Sequence, residues 1–235
     1  MLTPSNASSN SIFSLMPRQP LPIRDQASAC REGCAAFDRI VSISGFIVSY
    51  PRGVEIFGEN EPAEYLYKVV SGAVCTYKIL NDGRRQISGF YLPGEFFGLQ
   101  YSGEYEFSAE AIRDAKSLVI KKSALMAAAR GDAAVSHGLL LLTALELGRV
   151  QNRVLLLAKS AQERVVGFLL EMAARSPSGR SLQLPMLRQD IADYLGLTIE
   201  TVSRTLKSLK KLAVIDVSTR HIVIRDRSSL SQLNG

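Results

Sequence analysis

Short runs of β-branched and aromatic residues alternate with turn residues between residues 41 and 120. The runs EYLYKVV and VCTYKIL are separated by a Ser-Gly pair at 71–72, and NDG at 81–83 and PG at 93–94 are further turn signals. An Asp-Gly step between two such runs indicates a hairpin, because glycine tolerates positive φ. Several strands at roughly ten-residue spacing predict a β-roll or β-barrel, which we assign to residues 36–122.

The apolar period changes to three and four residues over residues 123–159, which predicts one long helix. A second stripe, which contains Leu141 and Leu145, lies beside the main one. A helix that is apolar on two sides must pack on two partners, and we expect these to be the β-roll and a twin helix from a second chain. The pattern favours a homodimer, and a core helix within a monomer is the alternative. The predicted dimerisation residues are Leu140, Ala144, Leu147, Val150, Val154 and Leu157.

The last part of the chain, residues 160–235, predicts a small helical domain that ends in a hairpin. An amphipathic helix over 162–175 is followed by SPSG at 176–179, which breaks it. The segment AVIDVSTRHIVIRD alternates apolar and polar residues and turns at 218–221, as a β-hairpin wing does. The whole chain therefore predicts an α+β protein with a β-roll, a long helix and a winged helix-turn-helix.

The segment LRQDIADYLGLTIETVSRTLKSL predicts a helix, a turn and a second helix. The first helix covers 187–195, with Ala192 where only a small side chain fits between crossing helices. Gly196 supplies the tight turn, and Thr198 can cap the second helix. Val202, Leu206 and Leu209 are spaced four and three residues apart, so they are predicted to face the core.

The opposite face of the second helix carries Glu200, Ser203 and Arg204. An arginine fork matches guanine O6 and N7 in the major groove, a carboxylate accepts from cytosine N4, and a serine hydroxyl serves a base or a phosphate. We therefore predict that these three residues read DNA bases. The alternative is a solvated face on which Glu200 and Arg204 form an ion pair, and the complete motif with its wing favours base readout.

Basic and hydroxyl side chains around this face are suited to phosphates, where charge positions the protein without reading sequence. The formal net charge of +6, most of it after residue 160, favours an anionic partner in the same way. The predicted contacts to the DNA backbone are Thr198, Lys207, Lys210 and Arg220.

Composition narrows the remaining classes of function. With 46% hydrophobic and 21% charged residues, the chain is a globular protein, and residues 1–35 form a Ser- and Pro-rich arm that we expect to be mobile. We expect no membrane span, because no run of about 18 apolar residues occurs, and the few cysteines fit a reducing cytoplasm. Only His137 and His221 are present, without a catalytic triad or phosphate loop, so no enzyme is predicted.

The order of these units after residue 40 resembles the cyclic-AMP receptor protein and FNR superfamily of bacterial transcription regulators. The segments EPAEYLYKVVSGAV, GRRQISGFYLPGEFFG, LPMLRQDIADYLGLTIETVSR and ARSPSG are most similar to its FixK-type branch. The Glu200-x-x-Ser203-Arg204 pattern is similar to the FNR-type recognition helix. The resemblance implies a cyclic-nucleotide-binding-like jelly roll and an inverted-repeat operator with TTG-like ends and CAA-like complements. It also implies activation of genes for low-oxygen respiration or nitrogen fixation. Activation requires contact with RNA polymerase, for which the NDGRR hairpin is one candidate.

Departures from the family predict a regulator without a cofactor. Leu99 and Gln100 replace the residues that hold the ribose of a cyclic nucleotide, and Phe107 stands where an arginine would bind its phosphate. Two alternatives remain open, namely a haem or other small effector in the β-roll, with His137 as a conceivable ligand, and a metal held by two ligands across a dimer. Leu187 stands where some FixK-type relatives carry an oxidisable cysteine, so that redox switch is expected to be absent.

The number of cysteines bears on whether the chain can hold an iron–sulfur cluster. The chain has Cys30 and Cys34 in the arm and Cys75 in a predicted strand, where we expect it to be buried. Three cysteines cannot supply the four ligands of an iron–sulfur cluster within one chain. No iron–sulfur cofactor is therefore expected.

Overall fold

The computed structural model describes residues 45–100, 103–176, 179–218 and 221–234. The predicted arm, with Cys30 and Cys34, and the wing residue Arg220 lie outside the described residues. The elements in chain order are β1 Gly45–Tyr50, β2 Glu55–Phe57, β3 Tyr65–Ile79, β4 Arg85–Tyr91, β5 Phe96–Phe97, β6 Ser108–Lys121, α1 Lys122–Gly131, α2 Ala133–Leu157, α3 Ala161–Arg175, β7 Ser181–Gln183, α4 Arg188–Leu195, α5 Ile199–Lys211, β8 Ile215–Val217, β9 His221–Ile224 and α6 Arg227–Gln232.

The N-terminal unit is the predicted β-roll, an antiparallel sheet in the order β1-β6-β3-β4, with β2 on β6 and β5 on β3. The Ser-Gly pair at 71–72, which the sequence pattern indicated as a break between strands, lies instead inside the single 15-residue strand β3. Gly72 adopts φ 82°, and a Cβ there would lie 2.1 Å from the carbonyl oxygen of Asp114. The pair therefore forms a bulge against β6 rather than a turn.

Aromatic side chains fill the interior of the roll. The rings of Phe57 and Tyr105 stack with centroids 3.7 Å apart, and those of Tyr67 and Phe97 stack at 5.0 Å. Ala109 packs into the same buried cluster. Stacked rings therefore line the interior of the roll with apolar surface.

The prediction of a single helix over 123–159 is wrong, because the structure has two helices, α1 and α2, which are separated at Asp132. Gly131 ends the first helix, where its flexibility disfavours continuation. Asp132 leaves the helical conformation at φ −133° and ψ 113°, and its side chain accepts a 2.7 Å hydrogen bond from the backbone N–H of Ala134. An N-cap of this kind begins a new helix.

Helix α2 packs one face on the roll and leaves the other uncovered. Val135 and Leu142 are buried against the sheet residues Leu66 and Ile120. Leu141 and Leu145, predicted as the second apolar stripe, flank this contact and are half-buried. By length and composition α2 would suit a membrane span, and only 17% of its most apolar window is buried in the protomer.

The C-terminal unit is a winged helix-turn-helix, in which α3, α4 and α5 pack with the sheet β7-β9-β8. Helix α3 begins with a capping box, in which Ser160 and Glu163 satisfy each other's backbone N–H groups. The hairpin β8–β9 forms the predicted wing, although its tip at 219–220 lies outside the described residues. The core of this unit continues into the roll through Cys75, Ile87 and Phe90, so both units share one apolar cluster.

Candidate nucleic-acid interface

The turn between α4 and α5 forms as the sequence predicts. Gly196 caps α4 in the left-handed conformation, at φ 62° and ψ 41°, and its N–H donates to the carbonyl of Ala192. Only glycine adopts this conformation without strain, because a Cβ would approach the following carbonyl. Ala192 is fully buried, consistent with the close helix crossing expected there.

Replacing Gly196 by alanine is therefore expected to lower the free energy of unfolding by about 1–2 kcal/mol, the cost of the left-handed conformation for a residue with a Cβ. Chemical denaturation of the full chain measures this change. Gly103→Ala is the matched control, since its added Cβ meets no atom within 4 Å and its φ is not in the left-handed region. Equal stability of both variants would contradict the assigned strain.

Helix α5 starts at a side-chain cap and buries one face. The side chain of Thr198 accepts a 3.2 Å hydrogen bond from the backbone N–H of Thr201, which satisfies one of the free donors of the first turn. Val202, Leu206 and Leu209 are buried, as their spacing predicts. The side chains that project on the other side of α5 are consequently presented to solvent.

The three predicted base-reading residues lie together on the outer side of this helix. Glu200 and Arg204 are exposed, and Ser203 is half-buried. Within the described part of the chain, Glu200 and Arg204 form no salt bridge with each other. The alternative in which these two side chains form an ion pair is therefore not observed. Hydrogen bonds from its own backbone N–H and from the Thr198 side chain lower the pKa of Glu200, which keeps the carboxylate ionised.

Arg188, which begins α4, reaches the same surface and is not among the residues predicted from the sequence. Its guanidinium Nη1 donates to Ser203 Oγ at 3.4 Å. Helical periodicity identifies residues that share a face of one helix. The contact between Arg188 and Ser203 joins two helices, so periodicity does not reveal it. A basic residue at the first position of the first helix was the available signal.

The remaining predicted contacts surround this surface, although their contact with DNA stays a prediction. Lys207 and Lys210 are exposed on the same helix, and Thr198 is exposed at its start. Arg220 lies outside the described residues. Helix α5 therefore presents one carboxylate in its first turn and basic groups along the rest of its exposed length, which is the charge distribution expected of a helix that enters an anionic groove.

The residues considered for other chemistry are placed elsewhere. Cys75 is buried as predicted, accepts a 3.2 Å hydrogen bond from Arg85 Nη2, and burial raises its pKa to about 12, so its thiol is protonated. His137 is exposed on α2 rather than directed into the roll. Among the described residues, no three His, Cys, Asp or Glu side chains come close enough together to hold a metal ion.

The chain also matches known families and relatives. The model of the Crp-like helix-turn-helix domain matches residues 163–233, and that of the cyclic nucleotide-binding domain matches residues 47–132. The nitrogen fixation regulation protein FixK of Azorhizobium caulinodans is 45% identical over 203 residues, covering 83% of this chain and 82% of the relative. FixK of Rhizobium meliloti is 40% identical over 170 residues, covering 72% and 77%.

Among solved structures, that of FixK2 from Bradyrhizobium japonicum is 46% identical and superposes with a TM-score of 0.78. The match covers 81% of this chain and 98% of that one. The β-roll, the helix and the winged helix-turn-helix therefore occur together in a close relative, as they do here. The chain belongs to the FixK branch of the CRP/FNR family of DNA-binding transcription regulators.

Proposed function

We propose that the chain acts as a homodimer that binds a palindromic operator with TTG-like and CAA-like ends and activates transcription. The observation that carries the proposal is the exposed face of α5, where Glu200, Ser203 and Arg204 lie on one side of a capped helix packed on α4. Arginine and glutamate on such a face are complementary to guanine and cytosine in one half-site. A two-fold dimer would present two such faces about 34 Å apart, in successive major grooves.

The uncovered face of α2 supports the dimer. Leu140 is 66% exposed, Leu147 57%, Val150 52% and Val154 63%, and Ala144 between them is also exposed. A continuous apolar stripe on a monomer is costly in water, and a second copy of the same helix covers it in a two-fold arrangement.

The ends of this stripe have different surroundings. Leu157 is half-buried and lies close to the turn at Gly196, within reach of an added Cβ there. We propose that it joins the dimer helix to the DNA-binding unit, so that its part in the dimer contact is smaller than that of the exposed residues.

Side-chain contacts of α2 with the roll, including a 2.9 Å salt bridge from Arg149 to Glu95, fix the helix against its own protomer.

Basic residues outside the base-reading face would position the dimer on the duplex. Lys207, Lys210 and Arg188 are suited to phosphates because they carry charge at the edge of the reading surface. Thr198 has a hydroxyl at the helix start, where a phosphate oxygen is also favoured by the free N–H groups. Arg220 is proposed for the same role from the wing.

Lys207→Ala tests this division between phosphate and base contacts. The variant is expected to weaken binding to specific and random duplexes alike and to reduce the salt slope by roughly one unit, because one phosphate contact is lost. Fluorescence anisotropy at several salt concentrations measures both effects. Arg84→Ala is the control, because it removes an exposed cation that pairs with Asp82 in the β-roll and is far in sequence from α5. A loss confined to the specific duplex would make Lys207 a base reader instead.

The biological setting is inferred from the function of the relatives. FixK of two rhizobial species is a nitrogen fixation regulation protein, and we propose regulation of nitrogen-fixation or low-oxygen genes for this chain in the cytoplasm. Contact with RNA polymerase is proposed through the turn at 81–84. The predicted NDGRR segment is not exposed throughout, since Arg85 binds Asp190 of α4 at 3.0 Å.

We propose that the roll does not hold a cyclic nucleotide, even though the model of the cyclic nucleotide-binding domain matches residues 47–132. Stacked rings of Phe57, Tyr67, Phe97 and Tyr105 occupy the interior, and Phe107 supplies no cation for a phosphate. We therefore propose a regulator that acts without a cyclic nucleotide or iron–sulfur cofactor.

Selection of bound duplexes from a random pool tests the proposed function directly. The purified full chain is expected to enrich an inverted repeat whose half-sites end in TTG and CAA. Sedimentation of the complex then gives its stoichiometry, with two chains expected on each duplex. Enrichment of an asymmetric site, or binding by one chain, would overturn the palindrome and the dimer.

A further inference from the structure

The C-terminal end of α4 has an unusual set of hydrogen-bond partners. The last four carbonyls of a helix have no partner within it and must be satisfied otherwise. The carbonyl of Ala192 accepts from the backbone N–H groups of Gly196 and Leu197, as in an ordinary glycine cap. The other three carbonyls, of Asp193, Tyr194 and Leu195, are each contacted by a side chain from a different part of the protein.

These three side chains come from the roll, the dimer helix and α3. Gln86 of β4 donates from Nε2 to the carbonyl of Asp193 at 2.5 Å. Arg164 of α3 donates from Nη1 to the carbonyl of Leu195 at 3.1 Å. Arg153 of α2 reaches the carbonyl of Tyr194 at 3.5 Å, and its guanidinium lies 4.9 Å from the centre of the Tyr194 ring.

Arg153 is also held by the roll. Its two terminal nitrogens donate to the carbonyls of Ile87 and Ser88 in β4. The register of β4 on β3 shifts at this point, with Ile87 opposite Tyr77 and Gly89 opposite Thr76, so Ser88 is the extra residue of a bulge. Successive carbonyls of a regular strand point to opposite sides, and the bulge lets both point to one guanidinium.

The other end of α4 is tied to the roll as well. Asp190 accepts from the backbone N–H of Leu187 at 2.7 Å, which caps the helix, and also accepts from Arg85 Nη1 at 3.0 Å. Arg85 further contacts Glu110 of β6 at 3.2 Å. Both ends of the first helix of the motif are therefore fixed to β4.

We propose that Arg153 and Gln86 are positioning residues for operator binding, which set the orientation of α4, and of α5 packed on it, relative to the dimer helix. Arg153 stands between Val150 and Val154 in the sequence of α2 and contacts β4 and Tyr194. The same turns of α2 therefore carry both the proposed dimer stripe and the link to the DNA-binding unit. In a two-fold dimer, the orientation of α5 fixes the distance between the two recognition helices and hence the preferred spacing of the half-sites. This inference rests on the proposed function.

The test compares spacing preference, which a loss of stability alone does not change. Palindromic duplexes are prepared with the selected spacing and with one base pair added or removed. Their binding to the full chain is measured by fluorescence anisotropy. Wild-type protein is expected to prefer the selected spacing by roughly tenfold or more, since a change of one base pair rotates and shifts one half-site. Arg153→Met and Gln86→Leu are expected to reduce this preference to roughly threefold or less.

Two further variants separate positioning from folding. Arg153→Lys keeps the cation and part of the hydrogen bonding, so it is expected to retain an intermediate spacing preference. Arg84→Met removes an arginine from the turn between β3 and β4, where Arg84 pairs with Asp82 rather than with α4. The anisotropy assay contains no RNA polymerase, for which this turn is proposed, so the variant is expected to keep the wild-type spacing preference.

The possible results are distinct. If Arg153→Met does not fold, as judged by circular dichroism, Gln86→Leu carries the same test. Weaker binding to all spacings with an unchanged preference would overturn the positioning role. Wild-type protein that binds no palindrome would instead overturn the proposed function, and this result is seen before any variant is made.

Discussion

Arg204→Ala is expected to remove most of the discrimination between the operator and a scrambled duplex. A bidentate contact of arginine with guanine contributes about 1–3 kcal/mol of discrimination, so two half-sites lose about 2–6 kcal/mol. That corresponds to roughly 30-fold to more than 10⁴-fold in relative affinity. The guanidinium is exposed on α5, and within the described residues it has no hydrogen bond or salt bridge that the substitution would break. The folded protein is therefore expected to keep its stability.

Anisotropy titrations of both duplexes at one salt concentration measure this ratio, and thermal unfolding checks the fold. Lys211→Ala is the matched control, because it removes the same charge from the same helix at a position beyond the base-reading face. It is expected to weaken binding to both duplexes and to leave their ratio unchanged. An undiminished preference of the Arg204 variant for the operator would refute base reading by this residue.

The helix-turn-helix was predictable because the signals that form it are local. Thr198 caps α5, Gly196 adopts the left-handed turn, and the spacing of Val202 and Leu206 decides which face is buried. Each of these effects acts over three or four residues, so it is present in the sequence before the chain folds. The exposed position of Glu200 and Arg204 follows from the same periodicity.

Breaks inside regular elements were predicted less well. The chain continues through Gly72 as one strand, because the opposing strand β6 accommodates the bulge, whereas the same residues in isolation favour a turn. The helix over 123–159 stops at Asp132, where one carboxylate caps the next helix. An aspartate within an apolar pattern is equally compatible with an exposed helical position, so periodicity alone does not find the cap.

Contacts between the two units could not be predicted from spacing at all. Arg85 and Asp190 are 105 residues apart in sequence, and Gln86 lies 107 residues from the carbonyl it binds. Their proximity depends on how the roll packs on α4, which is set by the shared apolar cluster around Ile87 and Phe90. Arg85 and Gln86 are polar residues next to a hairpin turn, where side chains are commonly exposed to solvent. The local sequence therefore does not reveal that they bind α4.

Leu147→Glu is expected to convert the dimer to a folded monomer and to lower operator affinity by roughly 100-fold or more, because a carboxylate on the stripe would be desolvated next to its symmetry mate. Leu147 is 57% exposed in the protomer, so the substitution removes little packing within one chain. A single chain contacts one half-site, and the second half-site no longer adds its free energy of binding. Analytical ultracentrifugation gives the mass, and anisotropy with the palindrome gives the affinity.

Asn152→Glu adds the same charge to an exposed position on the side of α2 away from this stripe. Because that position makes no contact across the proposed two-fold, the control is expected to remain dimeric and to bind the palindrome as the wild type does. Circular dichroism of both variants separates dissociation from unfolding, since a monomer that keeps its helices has lost only the contact between chains. A Leu147 variant that sediments as a dimer would show that the exposed apolar face of α2 is not the dimer interface, and the two recognition helices would then need a different symmetry to reach successive major grooves.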